Sequence, residues 1–135
     1  MSKNTFRKAA AITLVICMLL AVCGVAFAQS RMIVSTRSSF IRDSNTKGTA
    51  TLIANSSNTV DPYITSTMIL QEAPLGSTSF VDSDVEPKVK TSSRGTITHV
   101  VSFPITTTKE YRVKMEIRDV VDDTTYITIL YENLQ

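Results

Sequence analysis

The chain has 135 residues, 14 Lys+Arg against 12 Asp+Glu, two cysteines, one histidine and no tryptophan. A length of this order supports one hydrophobic core and no more. The formal charge of +2 comes from Lys3, Arg7 and Lys8 at the start of the chain, and the near-neutral remainder makes no case for nucleic acid or for an anionic membrane.

Lys3, Arg7 and Lys8 precede an uncharged stretch, 9–22, and small residues then lead to Ala26-Phe27-Ala28. Positive start, apolar middle and small-residue exit are the three parts of a secretory signal peptide. The peptidase admits only small side chains at the first and third positions before the cut. Cleavage is therefore expected after Ala28, giving a leader at 1–28 and one domain at 29–135. Two other fates are weighed. A retained membrane helix wants about 20 consecutive apolar residues, and Gly24 with the small-residue exit argues against it. Lipid anchoring at Cys23 is suggested by Leu20-Ala21-Val22-Cys23, which resembles a bacterial lipobox with Val22 where Gly, Ala or Ser is usual.

Loss of the leader removes Lys3, Arg7 and Lys8, so 11 cations face 12 acids and the net charge becomes −1. Cys17 and Cys23 leave with it, and the remaining domain holds no disulfide, thiol nucleophile or thiolate metal site. A cysteine-free exported domain points to a Gram-positive bacterial source.

In the remaining 107 residues, 31 are Ser or Thr, many set beside Ile, Val and Tyr, which is strand composition. No stretch has apolar residues at helical spacing over three turns. A first strand is predicted at 31–39. The turn-forming run 43–48 leads to a second at 48–56, and Asp61-Pro62 leads to a third at 63–72, with Ile64, Met68 and Leu70 on one face. Segments 80–85 and 87–91 read as one strand interrupted near Pro87. The next strand, 95–103, aligns Ile97, His99, Val101 and Phe103.

The clearest pattern is at 110–118. Tyr111, Val113, Met115 and Ile117 alternate with Arg112, Lys114, Glu116 and Arg118. Successive strand side chains point to opposite faces, so this is a half-buried antiparallel strand; a helix would scatter the apolar groups around its circumference. An acidic turn at 119–123 precedes a last strand at 124–131. About seven strands result, and the predicted fold is all-β: a single antiparallel β-sandwich. The closing strand is apolar on both faces. It is predicted to lie at the heart of the sandwich, the alternative being an edge that another chain could join, with Asp122, Asp123 and Glu132 as flanking charges.

Phe103-Pro104 and the run from Thr106 to Met115 resemble a corner of immunoglobulin-like and fibronectin type III sandwiches. There a tyrosine opening the penultimate strand hydrogen-bonds back across the corner, the place taken here by Tyr111. The region after the leader also resembles a family of small secreted Firmicutes proteins of uncharacterised function. Leu70-Gln71 and Tyr111-Arg112-Val113 match its pattern, while its tryptophan and its Tyr-Tyr-Arg-Val run are missing. That resemblance implies no activity.

Chemistry is sparse. His99 lacks companions for a metal site or a nucleophile pair, and is expected to be a strand histidine near a sheet edge with a local hydrogen bond. Asp82, Asp84 and Glu86, and likewise Asp119, Asp122 and Asp123, could gather round Ca2+. Neither set has the glycine turn and distal glutamate of a calcium loop, so both are expected to be solvated. No G-x-S-x-G, no S-x-x-K and no phosphate-binding glycine loop is present, since Gly48, Gly76 and Gly95 stand apart. Asn55-Ser56-Ser57 fits a glycan acceptor, of little weight in a bacterium. No catalytic, cofactor or metal residue is therefore assigned.

The function predicted is a secreted non-catalytic module for binding or for extracellular or envelope structure. It would act through loops at one end of the sandwich or through an open strand edge. Its partner would be an unidentified protein or cell-wall ligand, with no nucleic acid, membrane contact only through the leader, and self-association possible by an edge strand. Alternatives are a small antibacterial or toxin-like protein, and a hydrolase assembled in three dimensions from His99 and an acidic residue.

Overall fold

A computed structural model describes residues 33–135; the predicted leader, with Ala28, Cys17 and Cys23, lies outside the described residues. Eight strands follow one another: β1 (Ile33–Ser44), β2 (Lys47–Ser56), β3 (Tyr63–Pro74), β4 (Val81–Asp82), β5 (Lys88–Ser92), β6 (Thr96–Pro104), β7 (Lys109–Val121) and β8 (Thr124–Asn133). They form two antiparallel sheets. One has the order β1-β2-β6. In the other, β3 and β7 are central, β8 lies outside β7, and β4 and β5 share the far edge of β3.

The alternation in β7 fixes the layering. Val113, Met115 and Ile117 are fully buried, beside Ile64, Met68 and Leu70 of β3. Phe40, Ala50, Leu52, Ala54, Ile97 and Phe103 face them from the other sheet, and Phe40 meets Phe103 edge-on with centroids 6.3 Å apart. Apolar inner faces closed against each other make a β-sandwich. Burial of this interface, at roughly 25 cal/mol per Å2 of apolar area, is the main favourable term in folding.

The structure adds one strand to the predicted seven. The stretch read as one interrupted strand is two, β4 and β5, because Pro87 and the exposed residues around it separate two short pairings to the same edge of β3. The acidic turn is shorter than predicted. β7 continues to Val121, and only Asp122 and Asp123 form the hairpin, with φ of 49° and 60°. Two left-handed residues between antiparallel strands match the right-handed strand twist. The β1–β2 turn is likewise confined to Asn45 and Thr46. The third strand, predicted at 63–72, runs two residues further, to Pro74.

The largest correction concerns β8. It is an edge strand, not one at the heart of the sandwich, and Ile127, Ile129 and Tyr131 point outward, 55%, 46% and 51% exposed. Apolar residues on both faces do not require two covers, since a hydrophobic side chain is tolerated on an open surface.

Candidate functional site

His99 is 5% exposed on β6, an edge strand of its sheet, and its Nδ1 lies 2.9 Å from Ser66 Oγ on β3 of the opposite sheet. The predicted hydrogen bond exists but is not local: it spans the sandwich. Burial and, secondarily, the charge of Lys90 lower the His99 pKa from its usual value, which favours the neutral ring. A histidine–serine contact has the outline of a base and nucleophile. Here Ser66 is fully buried, so no substrate can reach its oxygen.

The acidic residues divide. Asp82 accepts a bond from Gln71 Nε2 at 2.6 Å, and Gln71 Oε1 accepts one from Arg112 Nε at 2.7 Å. The Arg112 guanidinium lies between the rings of Phe80 and Tyr131, 4.4 and 4.6 Å from their centroids. This stack fastens the β4 segment to β7 and β8. Asp84 and Glu86 are exposed. Among the described residues, no three His, Cys, Asp or Glu side chains gather closely enough to hold a metal ion.

Asp119 departs from the solvated position expected of it. It is fully buried, because it occupies the next inward position of β7 after Ile117. Its carboxylate accepts bonds from Ser56 Oγ at 2.6 Å and from Ser57 N–H at 3.1 Å, fixing the start of the β2–β3 loop. Asn58 continues the work. Its Oδ1 accepts from the N–H groups of Val60 and Asp61, and its Nδ2 donates to the carbonyls of Asp61 and Val120. Asparagine fits because its side chain mimics a backbone turn. Asn55 is also occupied, donating to Ser35 Oγ and accepting from Thr96 Oγ1.

This framework holds a cleft of about 310 Å3 at one end of the sandwich, between the β2–β3 loop and the β7–β8 turn. Val60 stands 93% exposed at the loop tip, and Tyr63 is half exposed. Asp61, Asp122 and Asp123 also line the cleft, and none of them forms an ion pair among the described residues. Asp122 and Asp123 thus come near Asp61 rather than Asp119, which points into the core. Sequence reasoning missed this cleft. The available signals were Asn58 three residues before Asp61-Pro62 and a two-residue acidic link between alternating strands.

No protein-family model matches the sequence, and no curated protein matches it. The chain is similar to a solved structure, the crystal structure of a protein from Archaeoglobus fulgidus, with a TM-score of 0.40 and 11% identity, covering 75% of this chain and 93% of that one. A likeness of that degree carries nothing about function.

Proposed function

We propose that the chain is an exported bacterial binding module of immunoglobulin-like build, without catalytic machinery, that recognises a cationic protein or cell-wall ligand at the cleft between 58–63 and 120–123. The immunoglobulin-like assignment is supported by the strand order, with first, second and sixth strands in one sheet and third, seventh and eighth in the other. It is supported also by the corner at Tyr111, whose hydroxyl lies 3.2 Å from Thr106 Oγ1. Membership of the family of small secreted Firmicutes proteins belongs to the same proposal.

One observation carries the binding reading. The β2–β3 loop is held by buried Asp119 and by four bonds to Asn58, yet its tip presents Val60 to solvent beside three carboxylates that form no ion pair among the described residues. A loop ordered before its partner arrives loses less entropy on binding. An apolar anchor ringed by acids selects a basic, partly apolar ligand. The antibacterial and hydrolase readings have no comparable support.

Titration with labelled poly-L-lysine, with poly-L-glutamate as control, tests the charge preference. We expect saturable, salt-sensitive binding to the lysine polymer, weakened at least about fivefold by D61N/D122N/D123N with the melting curve retained. Equal response to both polymers, or undiminished binding by the triple variant, would remove the cationic ligand from the proposal.

A further inference from the structure

β8 has one neighbour, β7, and its other edge is open along most of its length. Opposite residues of an antiparallel ladder alternate between bonded and non-bonded pairs. Leu134 N–H donates to Tyr111 O at 3.0 Å, and the register runs unbroken from 112↔133 to 121↔124. The even-numbered residues of β8 therefore bond to β7. Thr125, Ile127, Ile129 and Tyr131 aim both backbone groups away from it. These same residues carry the outward side chains, and three of them are the exposed apolar ones.

The other edges are guarded. β4 and β5 are short, are broken at Pro87 and carry Lys88 and Lys90. β6 receives the Lys90 ammonium at Thr98 O, 2.8 Å away. β1 has two register shifts, and near Phe40 and Arg42 it is covered by Gln135, which bonds to both backbones. From Thr124 to Tyr131, β8 has no charge, no proline and no bulge, the usual protections of an edge.

We propose that this edge pairs with β8 of a second copy of the chain, antiparallel about a two-fold axis beside Thr128, extending the sheet across the dimer. A two-fold pairing is self-complementary, so each residue's contact is repeated by its counterpart. The choice of register follows from charge. Across each sheet, Arg118 lies beside Ile127, Glu116 beside Ile129 and Lys114 beside Tyr131. With the axis at Thr128, Ile127 meets Ile129 of the second copy, and the outward row reads Arg118, Ile127, Ile129 of the second copy, Glu116 of the second copy. Opposite charges then end each such row, about 14 Å apart at the backbone by three strand spacings of about 4.8 Å. Shifting the axis to Ile127 sets Arg118 against Arg118 of the second copy. Shifting it to Ile129 sets Glu116 against Glu116 of the second copy, and Arg118 against Lys114 of the second copy. Of these three registers, only the intermediate one avoids like charges. Its paired span, 125–131, stops before Glu132, where Ser38 of β1 reaches β8 with a hydrogen bond.

Sedimentation velocity of the purified chain over a micromolar range tests the association. We expect a concentration-dependent dimer that I129K, an outward substitution with the melting curve retained, converts to monomer throughout. The register is read by disulfide trapping with Cys17 and Cys23 replaced by Ser. T128C, whose copies face each other as a non-bonded pair, should cross-link under mild oxidation at least about tenfold faster than I127C or I129C. A wild-type chain that stays monomeric, an I129K chain that still dimerises, or preferential cross-linking through I127C or I129C would overturn the proposal.

Discussion

Gly48 shows how much one hydrogen atom can matter in this core. It is buried in β2, and a Cβ placed on it would stand 2.9 Å from Phe40 Cε2 and 3.2 Å from Leu134 Cδ1. Its backbone does not need glycine's left-handed freedom, so alanine would by itself stabilise the chain by about 0.4–1 kcal/mol through the unfolded state. The overlap opposes this. Phe40 is fully buried with its edge against Phe103, and overpacking such a ring costs about 1–3 kcal/mol. The steric term wins, and Gly48→Ala should lower Tm by several degrees, at roughly 4–8 °C per kcal/mol for a domain of this size. Calorimetry showing an unchanged or raised Tm would mean that Phe40 can move aside.

At the scale of strands, alternation was legible and closure was not. The inward run Tyr111, Val113, Met115, Ile117 could be read directly, because a period of two leaves a strand one way to face a core. Asp119 obeys the same alternation, yet its charge suggested water. What buries it is the loop at Ser56 and Ser57, more than 60 residues away, and no local pattern announces that approach. The β8 edge was hidden likewise, since strand order depends on which elements pair and not on their composition. Asp119→Ala should therefore destabilise the chain by about 3 kcal/mol, because it removes the buried carboxylate that accepts from Ser56 Oγ and from Ser57 N–H, both charge-assisted bonds. Asp119→Asn, which keeps an acceptor oxygen, should cost less than half as much. Urea unfolding with unchanged m would measure both, and faster amide exchange at 57–61 in the alanine variant would place the damage in the loop. Equal losses in the two variants would assign the effect to the negative charge, which both remove, instead of to the acceptor oxygen that asparagine keeps.

For the whole molecule the question is what aligns two sheets that share no disulfide among the described residues. Apolar packing supplies attraction but little direction. Direction comes from polar bonds between the sheets: Ser56 to Asp119 at one end, Ser38 to Glu132 along one side, Lys90 to Thr98 and His99 to Ser66 along the other. The last of these makes stability depend on pH. Burial first, and the charge of Lys90 second, lower the folded-state pKa of His99, while in the unfolded chain it titrates near its ordinary value of about 6.5. Below that pH the unfolded chain binds the proton more readily than the folded one. Stability is therefore complete above about pH 6.5 and declines as the pH falls towards the lowered folded value, with a limiting slope of about 1.4 kcal/mol per pH unit for one proton. Acidification from pH 7 to 5 should lower the wild-type urea midpoint, whereas His99→Gln, which has no proton to gain, should lose much less over the same interval. An equally steep decline in the variant would move the acid sensitivity to the carboxylates. The His99–Ser66 bond would then be only a spacer between the sheets.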